Sequence, residues 1–430
     1  MGLSEDQQGQ APAGRGVSRR RLLGGAVGGG AGLLVGAAGG YGTARATTSS
    51  PVSAAPDVVP FYGEHQAGVV TPTQGRLAFA AFDVVTEDVQ QLAAMLGRWS
   101  AAAALMTAGQ SVGPVETAPQ APPVDTGEAV GLAPGRLTVT VGFGPSLFDD
   151  RFGLADRRPA ALAPLPALPG DALEEARSGG DLCVQACSDD PQVAFHVIRN
   201  FARIGRGTVV LRWSQLGFGS TASTSTAQET PRNLFGFKDG TNNLKLEDRA
   251  AIDDAVWVGE ESDQAWMRGG TYAVTRRIRM HIESWDADFL ADQESVIGRH
   301  KLSGAPLGGS KETDVVDLAA TKGGEPVIPA AAHVRLASPH TNGGIRILRR
   351  GYSYTDGIDA KTGELDAGLF FIAFQKDAHA QFVPLQRRLG QHDALNEYIT
   401  HTSSALFACP PGLRAVGDWF GKGLLGDLVS

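Results

Sequence analysis

Three short segments carry the residue types that acid–base, redox or metal chemistry needs. Asn233-Leu234-Phe235-Gly236-Phe237-Lys238-Asp239-Gly240-Thr241-Asn242-Asn243 sets one carboxylate, Asp239, between glycines. Backbone of that kind turns tightly and approaches a ligand closely, so Asp239 could serve as a general acid or base. An ordinary Asp-Gly turn would read the same way. In Ala332-His333-Val334-Arg335-Leu336-Ala337-Ser338-Pro339-His340, His333 precedes a short apolar stretch and a Pro-terminated turn. That setting would hold an imidazole rigidly enough to ligate a metal; a satisfied core histidine is the alternative. In Arg346-Ile347-Leu348-Arg349-Arg350-Gly351-Tyr352-Ser353-Tyr354, apolar Ile347 and Leu348 beside Arg349 suggest that one guanidinium points inward. A buried guanidinium needs an anion or carboxylate; a surface basic cluster is the alternative. His379, His392 and His401 are scattered without a metal-ligand spacing.

The elements that must position these residues follow from periodicity. Arg76 to Val85 predicts a strand, and Thr86 to about Ala104 a helix with Val89, Leu92, Leu96 and Trp99 on one face. Thr107 to Gly135 is a Pro/Gly/Ala-rich loop. Arg136 to Gly142 and Leu182 to Ala186 read as strands. Asp189-Asp190-Pro191 opens a helix, and Thr208 to Trp213 is a further strand. A polar Ser/Thr tract from Ser220 to Thr230 marks a domain boundary, and beyond it the succession returns. Thr271 to Ile282 is a strand, followed by helical residues from Ala287 to Ile297. His333 to Leu336 is strand-like, Leu369 to Phe374 a strand and Ala378 to Leu389 a helix. The expected fold is α+β: two sandwiches, each an antiparallel sheet with helices on one face. The expected division is residues 61–220 and 221–430.

Composition narrows the function. The chain has 430 residues, a formal net charge of −8 and 20% charged residues. An acidic balance argues against nucleic-acid binding. Three cysteines and no Cys-x-x-Cys exclude a disulfide scaffold, a zinc ribbon and covalent c-type haem. Cys183 and Cys187, four apart on one strand, are too far apart for a disulfide, so buried free thiols are expected, Cys409 included. Residues 1–46 read as an address. Consecutive arginines, Arg19-Arg20-Arg21, run into 23 uncharged residues of which 10 are Gly. That stretch is too Gly-rich for a stable membrane helix and suits a Tat export signal, an uncleaved anchor being the alternative. Residues 47–60 are a linker. The mature chain is expected outside the cytoplasm, extracellular, periplasmic or attached to the cell envelope, without a stable membrane span. Losing five Arg against two acids leaves it three charges more acidic.

Taken together, Gly236-x-x-Asp239-Gly240, His333-x-Arg335 and Arg349-Arg350-Gly351-Tyr352 resemble the dye-decolourising peroxidases. The nearest likeness is to the Tat-exported branch that includes the deferrochelatase-type peroxidases of iron uptake. Tyr62-Gly63-Glu64-His65-Gln66-Ala67-Gly68, Gly180-Asp181-Leu182 and Gly298-Arg299-His300-Lys301 agree. The resemblance implies two ferredoxin-like modules of the dimeric α+β barrel superfamily, with one non-covalent haem b per chain, mainly in the C-terminal module. It implies His333 as proximal iron ligand and Glu397 as the carboxylate on its far nitrogen. Asp239 would move the peroxide proton and Arg349 would stabilise charge. Gly240, Thr241, Asn242, Ser338, Pro339 and His340 match haem-contact positions. The implied reaction reduces hydrogen peroxide to water and oxidises an aromatic or dye-like reductant. Bulky substrates would be served by surface aromatics, with Trp257, Trp266, Trp285, Tyr352, Tyr354, Tyr398 and Trp419 as candidates; most of these are expected in the core, and one or two at most to act. The alternatives are release of iron from haem with the porphyrin intact, and a non-enzymatic extracytoplasmic haem-binding protein. The only protein partner implied is the Tat translocase during export.

Overall fold

β1 (Arg76–Val84) is a run of small and aromatic residues with almost no polar position, as befits a strand covered on both faces. Asp88 then caps α1 (Val89–Thr107) by accepting from Gln90 N and Gln91 N. β2 (Thr138–Phe143) and β3 (Leu182–Ser188) follow across the Pro-rich loops. Asp190 caps α2 (Pro191–Ile204), whose first-turn Pro has no amide to lose. β4 (Val209–Ser220) closes this half. These assignments come from a computed structural model, which describes residues 58–429. The export signal, and most of the linker, lie outside the described residues.

The second half opens with α3 (Arg249–Ala255), β5 (Thr271–Met280), α4 (Ile282–Ala287) and α5 (Leu290–Ile297). A two-strand hairpin, β6 (Thr321–Lys322) and β7 (Glu325–Pro326), precedes α6 (His333–Leu336). Then come β8 (Leu348–Arg349), β9 (Tyr352–Ile358), β10 (Leu365–Gln375), α7 (Phe382–His392), β11 (Ile399–Cys409) and α8 (Lys422–Leu425). β8 and β9 are one interrupted strand, since Arg350 N donates to Ile372 O of β10 between them.

Each half arranges four strands alike: β4-β1-β3-β2 in the first and β11-β5-β10-β9 in the second. This is the ferredoxin-like α+β module twice over. β4 joins β9 through Phe218↔Ser353, and β2 joins β11 through Phe143↔Ala408. The two sheets therefore close into one ring, which leaves few open edges. Alternation along β1 sorts the core. Leu77, Phe79 and Ala81 face the ring interior with Trp213, Tyr352, Phe370 and Phe407. Ala78, Ala80 and Phe82 face α1 and α2, where Trp99 stacks on Phe201 at 4.6 Å and donates to its carbonyl.

Some expectations change. His333 to Leu336 is a single helical turn and not a strand: Leu336 N and Ala337 N bond locally to Ala332 O and His333 O. β4 runs on to Ser220, because β1 pairs with it as far as Arg76↔Phe218. Six of the seven aromatic candidates for an electron path are buried, as expected of mostly structural residues, and Trp419 is half-exposed. All three cysteines are free and buried, and burial raises the Cys183 and Cys187 thiols. Among the described residues, no helix is long and apolar enough to cross a membrane.

Candidate active site

The segment 231–243 folds back on itself and carries Asp239 at its end. Asp239 N donates to Pro231 O, and Asn233 N donates to Phe237 O. Gly240 must follow: its φ is +105°, and a Cβ there would stand 3.0 Å from backbone atoms of Ala222 and Ser223. Asp239 Oδ1 accepts from Arg349 Nη1 at 2.6 Å, and its Oδ2 from Asn233 Nδ2 at 3.3 Å. Asn233 cannot turn its amide round, because its Oδ1 already accepts from Phe235 N and Phe237 N.

Arg349 sits on β8 and is held at its backbone. Asn243 Oδ1 accepts from Arg349 N at 2.9 Å, while Asn243 Nδ2 donates to Arg349 O at 2.8 Å. One side chain thus takes both main-chain groups, as a neighbouring strand would. Sequence reading missed Asn233 and Asn243 as positioning residues, although both lie in the segment it singled out.

His333 starts α6. Its Nδ1 lies 2.6 Å from Asp393 Oδ2. Asp393 is the carboxylate on that nitrogen; Glu397 is not. Ala394 N donates to Ala331 O, which pins Asp393 beside α6, and Asp393 Oδ1 caps the next turn through Leu395 N. Glu397 ends that turn, exposed and off the cavity lining. Burial alone pushes the His333 pKa down, but the Asp393 carboxylate outweighs it and the net shift is upward. With Nδ1 taken by Asp393, Nε2 is the free ligating atom.

Asp239, Gly240, Thr241, Asn242, His333, Ser338, Pro339, His340 and Arg349 all line one cavity of about 660 Å³. His340 stands exposed at its mouth, and Ser338 caps the turn that carries it. Ile278, Met280, Leu369, Phe371, Leu385 and Leu389 supply apolar wall.

His401 also faces this cavity, and its pKa is pushed down to about 3 by burial, with Arg276 adding repulsion. The unfolded chain binds a proton near pH 6.5 that the folded chain refuses until about 3, so stability falls as pH falls through that window. Acidifying from about pH 7 to 5 should cost roughly 2 kcal/mol through this group alone. His401→Gln is expected to shrink the pH 7-to-5 stability difference by that amount, read by denaturant unfolding at each pH.

Known proteins resemble this chain along most of its described length. The model for the Dyp-type peroxidase N-terminal domain matches residues 66–219, and that for the C-terminal domain residues 230–414. A deferrochelatase from Escherichia coli (strain K12) is 38% identical over 391 residues, 89% of this chain and 92% of the relative. Ferric DtpA from Streptomyces lividans superposes with a TM-score of 0.79 at 41% identity, over 88% of this chain and 100% of that one. A DyP-type peroxidase from Cellulomonas bogoriensis gives 0.77 at 38%, over 86% and 99%. Likeness at this level runs through both halves and nearly the whole described chain, so the chain belongs to the Dyp-type peroxidase family and is a haem-dependent oxidoreductase.

Proposed function

We propose that the cavity takes one non-covalent haem b, with His333 as proximal iron ligand, and that the enzyme reduces hydrogen peroxide at the expense of an aromatic or dye-like reductant. The observation that carries this reading is the joint presence in one cavity of a carboxylate-anchored imidazole and an Asp–Arg pair. The residues fit the cofactor. The volume of about 660 Å³ lies within the range of cofactor pockets, and the wall combines apolar side chains with charged ones. One imidazole nitrogen is free while the other is fixed.

Bound haem would supply the redox-active iron. Everything else falls to the protein. Asp239 takes a proton from one peroxide oxygen and returns it to the departing one. Arg349, its guanidinium 2.6 Å from that carboxylate, stabilises negative charge as the O–O bond breaks. Asn233 aims the carboxylate, and Asn243 holds the arginine. Two electrons from the reductant and two protons complete the conversion of hydrogen peroxide to two waters.

A Soret band in the purified protein that responds to stoichiometric peroxide is the expected result; a colourless protein from a haem-sufficient host overturns the reading. Asn243→Ala leaves two Arg349 backbone groups without their partner. It should lower stability by about 1–3 kcal/mol and slow the peroxide reaction about tenfold, checked by thermal unfolding and stopped-flow absorption.

Relatives 38% identical carry the name deferrochelatase, which supports iron release as a second reading of the same cavity. Free protoporphyrin after incubation with haem would establish it. The twin arginines and the Gly-rich run support export by the Tat translocase to the cell envelope or beyond. Lysines at Arg19 and Arg20 should retain the enzyme in the cytoplasm on cell fractionation.

A further inference from the structure

Asp239 lies outside every helix and strand, and Gly240 after it is the residue type with the widest backbone freedom. Something else must fix where its carboxylate stands. The side chains flanking it in sequence both reach one acid. Lys238 Nζ donates to Glu312 Oε2, and Thr241 Oγ1 donates to Glu312 Oε1 at 3.0 Å. Each oxygen holds one anchor, so the Glu312 carboxylate cannot rotate without losing both. The stretch from 238 to 241 is thereby chelated, with Asp239 between the anchors and turned to Arg349. Burial raises the Glu312 pKa, but the hydrogen bonds from Lys238, Thr230 and Thr241 outweigh it, and the net shift is downward. The chelating group is thus an anion at neutral pH, and its bond to Lys238 is charge-assisted.

Glu312 arrives on the loop that begins with Gly298-Arg299-His300-Lys301. α5 ends at Gly298 with φ +87°, where a Cβ would stand 2.4 Å from Val334 Cγ1 of α6. Arg299 follows, 6% exposed, and its Nη1 donates to Gly304 O at 2.7 Å and to Glu312 O at 3.1 Å. One guanidinium thus draws the two ends of 304–312 together. Burial lowers the Arg299 pKa, and the Glu312 charge opposes that loss. Gly304 lies against the Lys238 stem, since a Cβ there would stand 2.7 Å from Lys238 Cδ. The loop therefore grips the catalytic segment at two places. Its next residues, Thr313 to Val316, line the cavity, whereas Glu312 itself is off the lining.

We propose that Glu312 is a positioning residue for the peroxide reaction, holding Asp239 in line with Arg349 by binding the residues on either side of it. This rests on the haem reading above. Glu312 neither touches peroxide nor moves the proton; it acts through Asp239. A displacement of about 1 Å in a reacting group can cost about 10²-fold in rate, so the hold has kinetic weight.

The test uses the holoenzyme. Stopped-flow absorption gives the peroxide rate constant per bound haem, and hydrogen–deuterium exchange follows peptides spanning 231–243. Glu312→Gln keeps the side chain's size but withdraws its charge from Lys238. It should slow the peroxide reaction about 10- to 100-fold. Lys238→Met should match it, and reads the same contact should Glu312→Gln fail to fold. Lys238→Arg, which can still donate to Glu312, should recover most of the loss. In an Asp239→Asn background, Glu312→Gln should change the residual rate by less than about twofold, because its effect runs through that carboxylate. The 231–243 peptides should exchange faster in Glu312→Gln than in wild type. A wild-type peroxide rate in Glu312→Gln overturns the proposal. So does a loss that persists at full size in the Asp239→Asn background, which would show a general structural role. Unchanged exchange overturns it as well, and that measurement needs no bound haem. In a wild type without a Soret band the haem reading falls, and the exchange result alone then supports or overturns the hold on the 238–241 segment.

Discussion

Asp239→Asn is expected to slow the reaction with hydrogen peroxide by about 10²–10⁴-fold, with haem content and the resting spectrum little changed. Asparagine has the shape of aspartate, so it can still accept from Arg349 and fill the same space. What it cannot do is take a proton. Stopped-flow absorption at increasing peroxide separates this from a binding defect, because the second-order rate constant should fall across the whole range. Arg349→Ala should cost about 10²–10³-fold by a different route, loss of positive charge where negative charge develops. It also leaves Asp239 with Asn233 alone, at 3.3 Å. The two losses act on one step, so the double variant should fall well short of their product. A double variant that keeps the wild-type rate would remove both assigned roles.

Legibility in the sequence followed the range of the interaction. Asp239 could be singled out because its neighbours, Gly236 and Gly240, are local signals, and the structure shows Gly240 pressed against the Ala222–Ser223 backbone. The two α+β halves were readable because each strand and helix has its own period. Their closure into a ring was not: it depends on β4 meeting β9 and β2 meeting β11, pairings of only a few residues between remote segments. α6 deceived for a related reason. Four residues are too few to show a period, and the helical turn is set by Pro329 and Ala332 just before it. The aromatic candidates could be expected to be mostly buried but not sorted one from another, because Trp and Tyr carry no mark of depth. Tyr352 and Tyr354, two of the seven candidates, are fully buried inside the ring. Asn243 went unnoticed because its partner is backbone, and backbone groups look alike at every position.

The largest loss of all is expected at the proximal side, and there the structure separates two carboxylates that sequence could not. His333→Ala removes the carboxylate-anchored imidazole whose free nitrogen would hold the iron, and should abolish the native Soret band. Asp393→Asn is the sharper probe. Asp393 is buried, with a side chain 3% exposed, and it lies 2.6 Å from His333 Nδ1. Asparagine can keep the cap on Leu395 N but withdraws the negative charge from the imidazole. Loss of such an outer partner typically costs about 10–100-fold in metal affinity or activity. The iron should also become easier to reduce, since a less basic imidazole donates less electron density. Glu397→Gln, by contrast, alters an exposed side chain off the cavity lining and should leave haem retention, potential and peroxide rate at wild-type values. The pair of variants differs by four positions in sequence and by everything in contact. If Glu397→Gln carried the defect and Asp393→Asn did not, the proximal geometry described here would be wrong. The expected asymmetry has a simple cause: Ala394 N is bonded to Ala331 O, two residues before the histidine, so the chain itself presents Asp393 to the ring.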